Sequence, residues 1–322
     1  MHFILTLDPG LDVSRISLSS DEEAEAERIT SAPLRRRQVT RDVQQRIQAN
    51  EDNYWREKVE GYVMQGNFLS LLMEEDVCVS WKSYLWNLPR GVARFAINSG
   101  LETLPTGDNL RRWGKRTSDL CRLCSDGSKQ TLNHVLSSCK SSLEQGRFTW
   151  RHDSILRTIY DFVSGRLGDG FEIFADLQGH GSGNGGTVPP DILVTAQRPD
   201  IVVLNRASRQ ILIFELTCPW DTNVAIRHEQ KSRKYSPLIN DLVNSGFVAD
   251  CYCFEVSVRG QLSKANRARL KSFLIKTTGL RRTAAVQLLR NVSKAALLGS
   301  FALFTARNEA QWNVTTDLSV NI

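Results

Sequence analysis

No stretch of the 322 residues combines the length and the lack of charge needed to cross a bilayer. The most apolar late stretch, Thr283 to Thr305, carries Arg290 and Lys294, which argues against a span and against a membrane partner. The opening MHFILTL has no basic flank and only a short apolar run, so no secretory signal is expected. Internal repeats are missing, which excludes a solenoid or propeller. The seven cysteines (Cys78, Cys121, Cys124, Cys139, Cys218, Cys251 and Cys253) are odd in number, and three of them cluster with a histidine. That does not suit a disulfide scaffold in a chain of this length. A reducing intracellular compartment, nuclear or cytoplasmic, is expected.

What is present is ordinary for a globular protein: 41% hydrophobic and 24% charged residues, with a net charge of +6. The excess of positive charge favours polyanionic partners. It is concentrated late, where Val256 to Ile322 holds eleven basic residues against Glu309 and Asp317. Such a segment is a natural place for phosphate contacts, although charge runs also serve simply as solvated surface.

The charge and hydropathy pattern divides the chain into five parts. Residues 1–40 alternate acidic and basic patches with Ser and Pro and are expected to form a flexible charged arm. Residues 41–117 are mostly helical in pattern, residues 118–142 hold the cysteine cluster, residues 143–280 form an α/β domain, and residues 281–322 form a basic helical tail. Within the α/β part, Phe148, Ile155, Ile159 and Phe162 mark an amphipathic helix. The Gly-rich GHGSGNGGTVPP is a loop. The runs DILVTA, DIVVLN and QILIFELT predict three strands. A helix follows from Val224 to Tyr235, interrupted or restarted at Pro237. FVADCYCFEVSV predicts a fourth strand, and SKANRARLKSFLIKTTG a basic helix stopped by Gly279. The alternation predicts an α/β fold with a mixed sheet flanked by helices.

The sequence CRLCSDGSKQTLNHVLSSC presents Cys121, Cys124, His134 and Cys139. A C-x-x-C turn offers two thiolates from one side, and His134 and Cys139 can face inward from a short helix. The SDGSK turn around Gly127 brings the pairs together, giving the four donors of a structural zinc site. The neighbouring Arg111 and Arg112 point to nucleic acid, but the knuckle can equally act as a staple between helices.

In RPDIVVLNRASRQILIFELT, Asp200 precedes one strand and Glu215 lies near the end of the next, with NRASRQ as the hairpin turn. Two carboxylates converging at one sheet end suit Mg²⁺ or Mn²⁺ as a catalytic ion. Thr217 stands two residues after Glu215, where a lysine would complete the chemistry. The following helix supplies Lys231 as first choice, and Lys234 as a phosphate or structural partner. His228 is read as a hydrogen-bonded scaffold residue.

These residues together resemble the restriction-like endonuclease of site-specific non-LTR retrotransposons, of the PD-(D/E)xK type. The stretches that carry the resemblance are CRLC…NHVLSSC, QGRFTWRHDSIL, RPDIVVLN…FELTCPWD and RHEQKSRKY. The resemblance implies Asp200 and Glu215 as metal ligands, Lys231 as the relocated lysine, and Arg151 and His152 as contributors to substrate binding. It also implies a restriction-endonuclease-like core preceded by a helical region with the knuckle. No YxDD polymerase motif is present, so reverse transcription would need a separate reverse transcriptase. The expected activity is Mg-dependent nicking of target DNA. The alternatives are a catalytically silent nucleic-acid-binding relic or domesticated protein, and an RNA-binding module centred on the knuckle.

Overall fold

The apolar runs IVVLN and QILIFELT pair as the centre of a sheet buried on both faces. The computed structural model describes residues 33–62, 65–73, 77–79, 85–182, 186–279 and 282–312. Most of the expected 1–40 arm lies outside them, as do the residues after 312. The chain is mixed α/β and divides into two compact units, Met1–Gly61 and Tyr62–Ile322.

In the first unit α1 (Pro33–Glu60) is one 28-residue helix, which starts inside the segment expected to be a flexible arm. Lys58 lies over the rings of Tyr54 and Trp55, one helical turn away.

The second unit begins with α2 (Gly66–Met73), β1 (Val77–Val79), α3 (Arg90–Gly100) and the short α4 (Gly107–Arg112). A π-helical turn, His134–Ser138, leads to α5 (Lys140–Glu144) and α6 (Arg147–Ser164). The sheet strands are β2 (Phe171–Ala175), β3 (Ile201–Asn205), β4 (Gln210–Thr217) and β5 (Val248–Glu255). Helix α7 (Val224–Asn244) joins β4 to β5; β6 (Gln261–Ser263), α8 (Lys264–Thr278) and α9 (Arg282–Thr305) are the last elements among the described residues. The sheet order is β2-β3-β4-β5, antiparallel except for the parallel β4–β5 pair that α7 makes possible. β6 pairs antiparallel with β1.

Alternation sorts the sheet residues onto two cores. Ile201, Val203, Leu212, Phe214 and Leu216 pack with α6, α8 and α9. Val202, Leu204, Ile211 and Ile213 pack with Tyr235, Leu238 and Leu242 of α7. A third cluster joins α3 and the turn at Val135 and Leu136 to Leu297, Leu303 and Phe304 of α9. The segment expected as a basic tail from 281 therefore contributes a helix to two cores at once.

Two expectations are corrected. DILVTA is not a strand; Leu193 closes a turn onto Pro189, and Val194 is 88% exposed. Its place beside β3 is taken by FEIFA, since Pro189, Pro190 and Pro199 bracket DILVTA and cannot donate to a ladder. Pro237 does not interrupt α7, which continues to Asn244. An internal proline costs about 3 kcal/mol; burial of Tyr235 before it and of Leu238 and Leu242 after it holds the helix together.

Candidate active site and zinc knuckle

The β3–β4 hairpin brings the two carboxylates together. Asn205 Oδ1 accepts from the Ser208 amide (3.0 Å), and Arg209 takes a positive φ of 49° to close the turn. Register then pairs Ile201 with Phe214, so Asp200 and Glu215 meet at the same sheet end. The Asp200 amide donates to Glu215 Oε2 (3.3 Å), and the Leu216 amide donates to Asp200 Oδ2 (2.6 Å). Asp200 is 8% and Glu215 2% exposed, which places two like charges in a poorly hydrated corner.

From α7, the Lys231 ammonium donates to Glu215 Oε1. Lys234 donates instead to the Tyr235 hydroxyl (2.9 Å), which donates to the Arg198 carbonyl (3.0 Å). Burial pushes the Tyr235 phenol well above its ordinary range, so it remains a donor. Burial also pushes Glu215 up; the negative Asp200 adds to this, and Lys231 opposes it. Buried oxygen donors whose charge calls for a cation fit a hard divalent metal ion. Thr217 Oγ1, at the position where a lysine was sought, is buried with no hydrogen-bond partner among the described residues.

His152 and Arg151 part company on α6. His152 Nε2 lies 3.3 Å from Asp200 Oδ2 and 3.2 Å from the Leu216 carbonyl, while Nδ1 lies 3.0 Å from Asp153 Oδ1. Burial works against its charge, but the Asp153 and Asp200 carboxylates outweigh burial and raise it to about 10. Arg151, expected to meet substrate, is 2% exposed. Its guanidinium donates to the Leu136 carbonyl (2.9 Å) and to Ser300 Oγ (3.1 Å), tying the knuckle turn to α9. Arg151 is therefore corrected to an internal tie, because its neighbours along the helix carry it into the interior. No signal in the sequence joins His152 to Asp200, 48 residues later.

The knuckle donors are gathered as well. The ligating atoms of Cys121, Cys124, His134 and Cys139 all lie within 4.8 Å of one another. Cys124 Sγ lies 3.3 Å from His134 Nε2 and 3.1 Å from Cys139 Sγ. A zinc tetrahedron with Zn–S near 2.3 Å has edges of about 3.8 Å, so small adjustments close this set on an ion. Gly127 supplies the left-handed turn residue (φ 73°), and the Cys121 amide donates to the Ser128 carbonyl across the turn (2.8 Å). His134 and Cys139 come from the π-helical turn and its end, so the expected short helix has a wider winding than an α-helix. Burial raises the Cys121 thiol to about 11. At Cys139 burial is outweighed by hydrogen bonds from Ser142 and Cys124, which hold it below its ordinary value.

Arg111 and Arg112 are exposed on α4, with their charges partly engaged by Asp119 (2.9 Å) and Asp108 (2.6 Å). In the basic late segment, Arg269 and Lys276 also have acidic neighbours, Glu255 and Asp250. Arg259 is buried between Asp221 (2.6 Å) and Glu102 (2.8 Å) and is not a surface cation. Among the described residues no helix is long and apolar enough to cross a membrane.

Residues 65–145 match a family described as zinc-binding in reverse transcriptase. No curated protein matches the chain. The family match and the Cys₃His cluster support zinc binding and a retrotransposon-type origin. The match ends before α6 and so leaves Asp200, Glu215 and Lys231 outside it.

Proposed function

We propose that this chain is a metal-dependent DNA endonuclease of the PD-(D/E)xK type, derived from a non-LTR retrotransposon, that nicks target DNA by phosphodiester hydrolysis. The observation that carries the reading is the meeting of Asp200, Glu215 and Lys231 at one sheet end. Asp200 and Glu215 would hold Mg²⁺ or Mn²⁺ through their carboxylate oxygens. When bound, such an ion supplies positive charge against the phosphate and makes water acidic enough to attack. Lys231 brings an ammonium to the Glu215 carboxylate, where it would orient water and balance negative charge. The ring of His152 braces Asp200 from α6, and Lys234 with Tyr235 fixes the loop at Arg198. Arg111 and Arg112, beside the zinc knuckle, hold DNA through phosphate contacts that set position rather than sequence.

The test is nicking of supercoiled plasmid with Mg²⁺ and with EDTA. Wild type is expected to nick only with the metal, and Asp200→Ala to nick not at all. Equal nicking by the two proteins would overturn the assignment of this site. A second reading rests on the zinc region that the family match covers: a catalytically silent nucleic-acid-binding relic or domesticated protein using the zinc knuckle. That protein would retain duplex DNA or RNA without cutting under any metal.

A further inference from the structure

Beside the edge strand β5, a cleft between α7 and α8 is lined by His228, Ser232, Cys251, Cys253, Arg269 and Ser272. Cys251 and Cys253 are two residues apart on the strand, so their side chains share one face. Their sulphurs lie 3.8 Å apart. That spacing equals the edge of a tetrahedron around an ion with metal–sulphur bonds of about 2.3 Å. A disulfide needs sulphurs at about 2.05 Å, and residues i and i+2 of an extended strand are poorly placed to close it.

A third candidate donor, on α7, lines the same cleft. His228 Nδ1 lies 3.0 Å from Glu255 Oε1, which leaves Nε2 as the ring nitrogen without a partner among the described residues. A carboxylate behind a histidine is the usual support of a metal-bound imidazole, because it fixes the tautomer and raises ligand basicity. Glu255 is 1% exposed, and its Oε2 has no hydrogen-bond partner among the described residues, with Arg269 3.6 Å away. The charges close as well. Arg269 offsets Glu255, and two thiolates offset a divalent cation. A phosphate in the same cleft would meet the buried carboxylate.

We propose that Cys251 and Cys253 clamp a soft divalent metal ion of the zinc or cadmium class, with His228 drawn in as third donor and the fourth position open to the cleft. The site is separate from the zinc knuckle, and it does not depend on the reading of Asp200 and Glu215. Cys253 is the register partner of Glu215 on the next strand, so the ion would sit beside that carboxylate.

The experiment is cadmium titration of the reduced full chain, read by the thiolate-to-metal charge-transfer band and by bound metal after dialysis. Wild type is expected to hold two thiolate-bound equivalents, and Cys251→Ser/Cys253→Ser one, with about two-fifths of the charge-transfer intensity lost, since two of five clamping thiolates are gone. One equivalent in wild type, or an unchanged band in the double variant, overturns the proposal. In case the double variant fails to fold, alkylation of Cys251 in wild type is followed by mass spectrometry with and without cadmium. At least tenfold protection by cadmium is expected, and equal rates overturn the proposal.

Discussion

Lys231 reaches from α7 to the carboxylate of Glu215 on β4, a contact between a helix and the strand that precedes it. The lysine that the neighbouring Thr217 position does not supply thus arrives from a different element. On the proposed reading, Lys231→Ala lowers plasmid nicking by about 10²- to 10³-fold, the usual cost of losing a preorganised charged donor. Lys231→Arg retains part of the rate. Single-turnover nicking under matched Mg²⁺ measures both, and a rate within twofold of wild type for the alanine variant would end Lys231's role.

Loss of a knuckle ligand acts on stability before anything else. Cys139→Ser leaves three donors, releases the zinc held there, and destabilises the surrounding turn by several kcal/mol. Elemental analysis and thermal unfolding by circular dichroism check this. Retention of full zinc with an unchanged Tm would show that the four residues are not a metal site.

Arg259 is a buried cation held by Asp221 and Glu102, with its guanidinium 3.9 Å from the Phe68 ring centroid and 4.4 Å from that of Trp220. Arg259→Met strands Asp221, which is fully buried, and is expected to cost about 3–5 kcal/mol in urea unfolding. A loss below about 1 kcal/mol would mean the pair contributes little.

Gly299 sits in α9 where an added Cβ would lie 2.6 Å from Arg151 Cγ and 3.3 Å from its Cβ. Alanine gains about 1 kcal/mol of helix propensity over glycine. Overpacking costs about 1–3 kcal/mol and forces Arg151 off the Leu136 carbonyl. Gly299→Ala is therefore expected to lower the urea midpoint, and a raised midpoint refutes the close approach.

Glu102 gives a pH dependence with a definite sign. Burial pushes its carboxyl above the ordinary range, ahead of the opposing Arg259. The folded chain then holds the proton more tightly than the unfolded chain. This contribution to stability is complete below the ordinary glutamate pKa and is lost as pH rises through the folded value. Glu102→Gln removes that loss, so the variant should gain on wild type as pH rises above the ordinary glutamate range in denaturant titrations. Parallel stability curves for the two proteins would contradict it.

Much of this arrangement was legible in the sequence because it is local. The C-x-x-C turn, the apolar strands flanking NRASRQ and the basic helix after Glu215 each carry their own short-range signature. The edge strand was misplaced because DILVTA and FEIFA are both short, and only the prolines around the former separate them. Arg259 and Arg151 look like surface cations in one dimension. Their partners lie at Glu102, Asp221, Leu136 and Ser300, separations at which no periodicity speaks. The π-helical turn at His134 was likewise unreadable, since it differs from an α-helix only in winding.

Helix α9 lines two cores, and it is the last described helix to leave the ribosome. Until residue 305 has emerged, a nascent chain exposes the apolar faces of α6 and α3 that α9 covers, with Arg151 lacking its Ser300 partner. The second unit must therefore assemble after most of its length has been made, and transcripts cut short before this helix should yield aggregates that recruit chaperones.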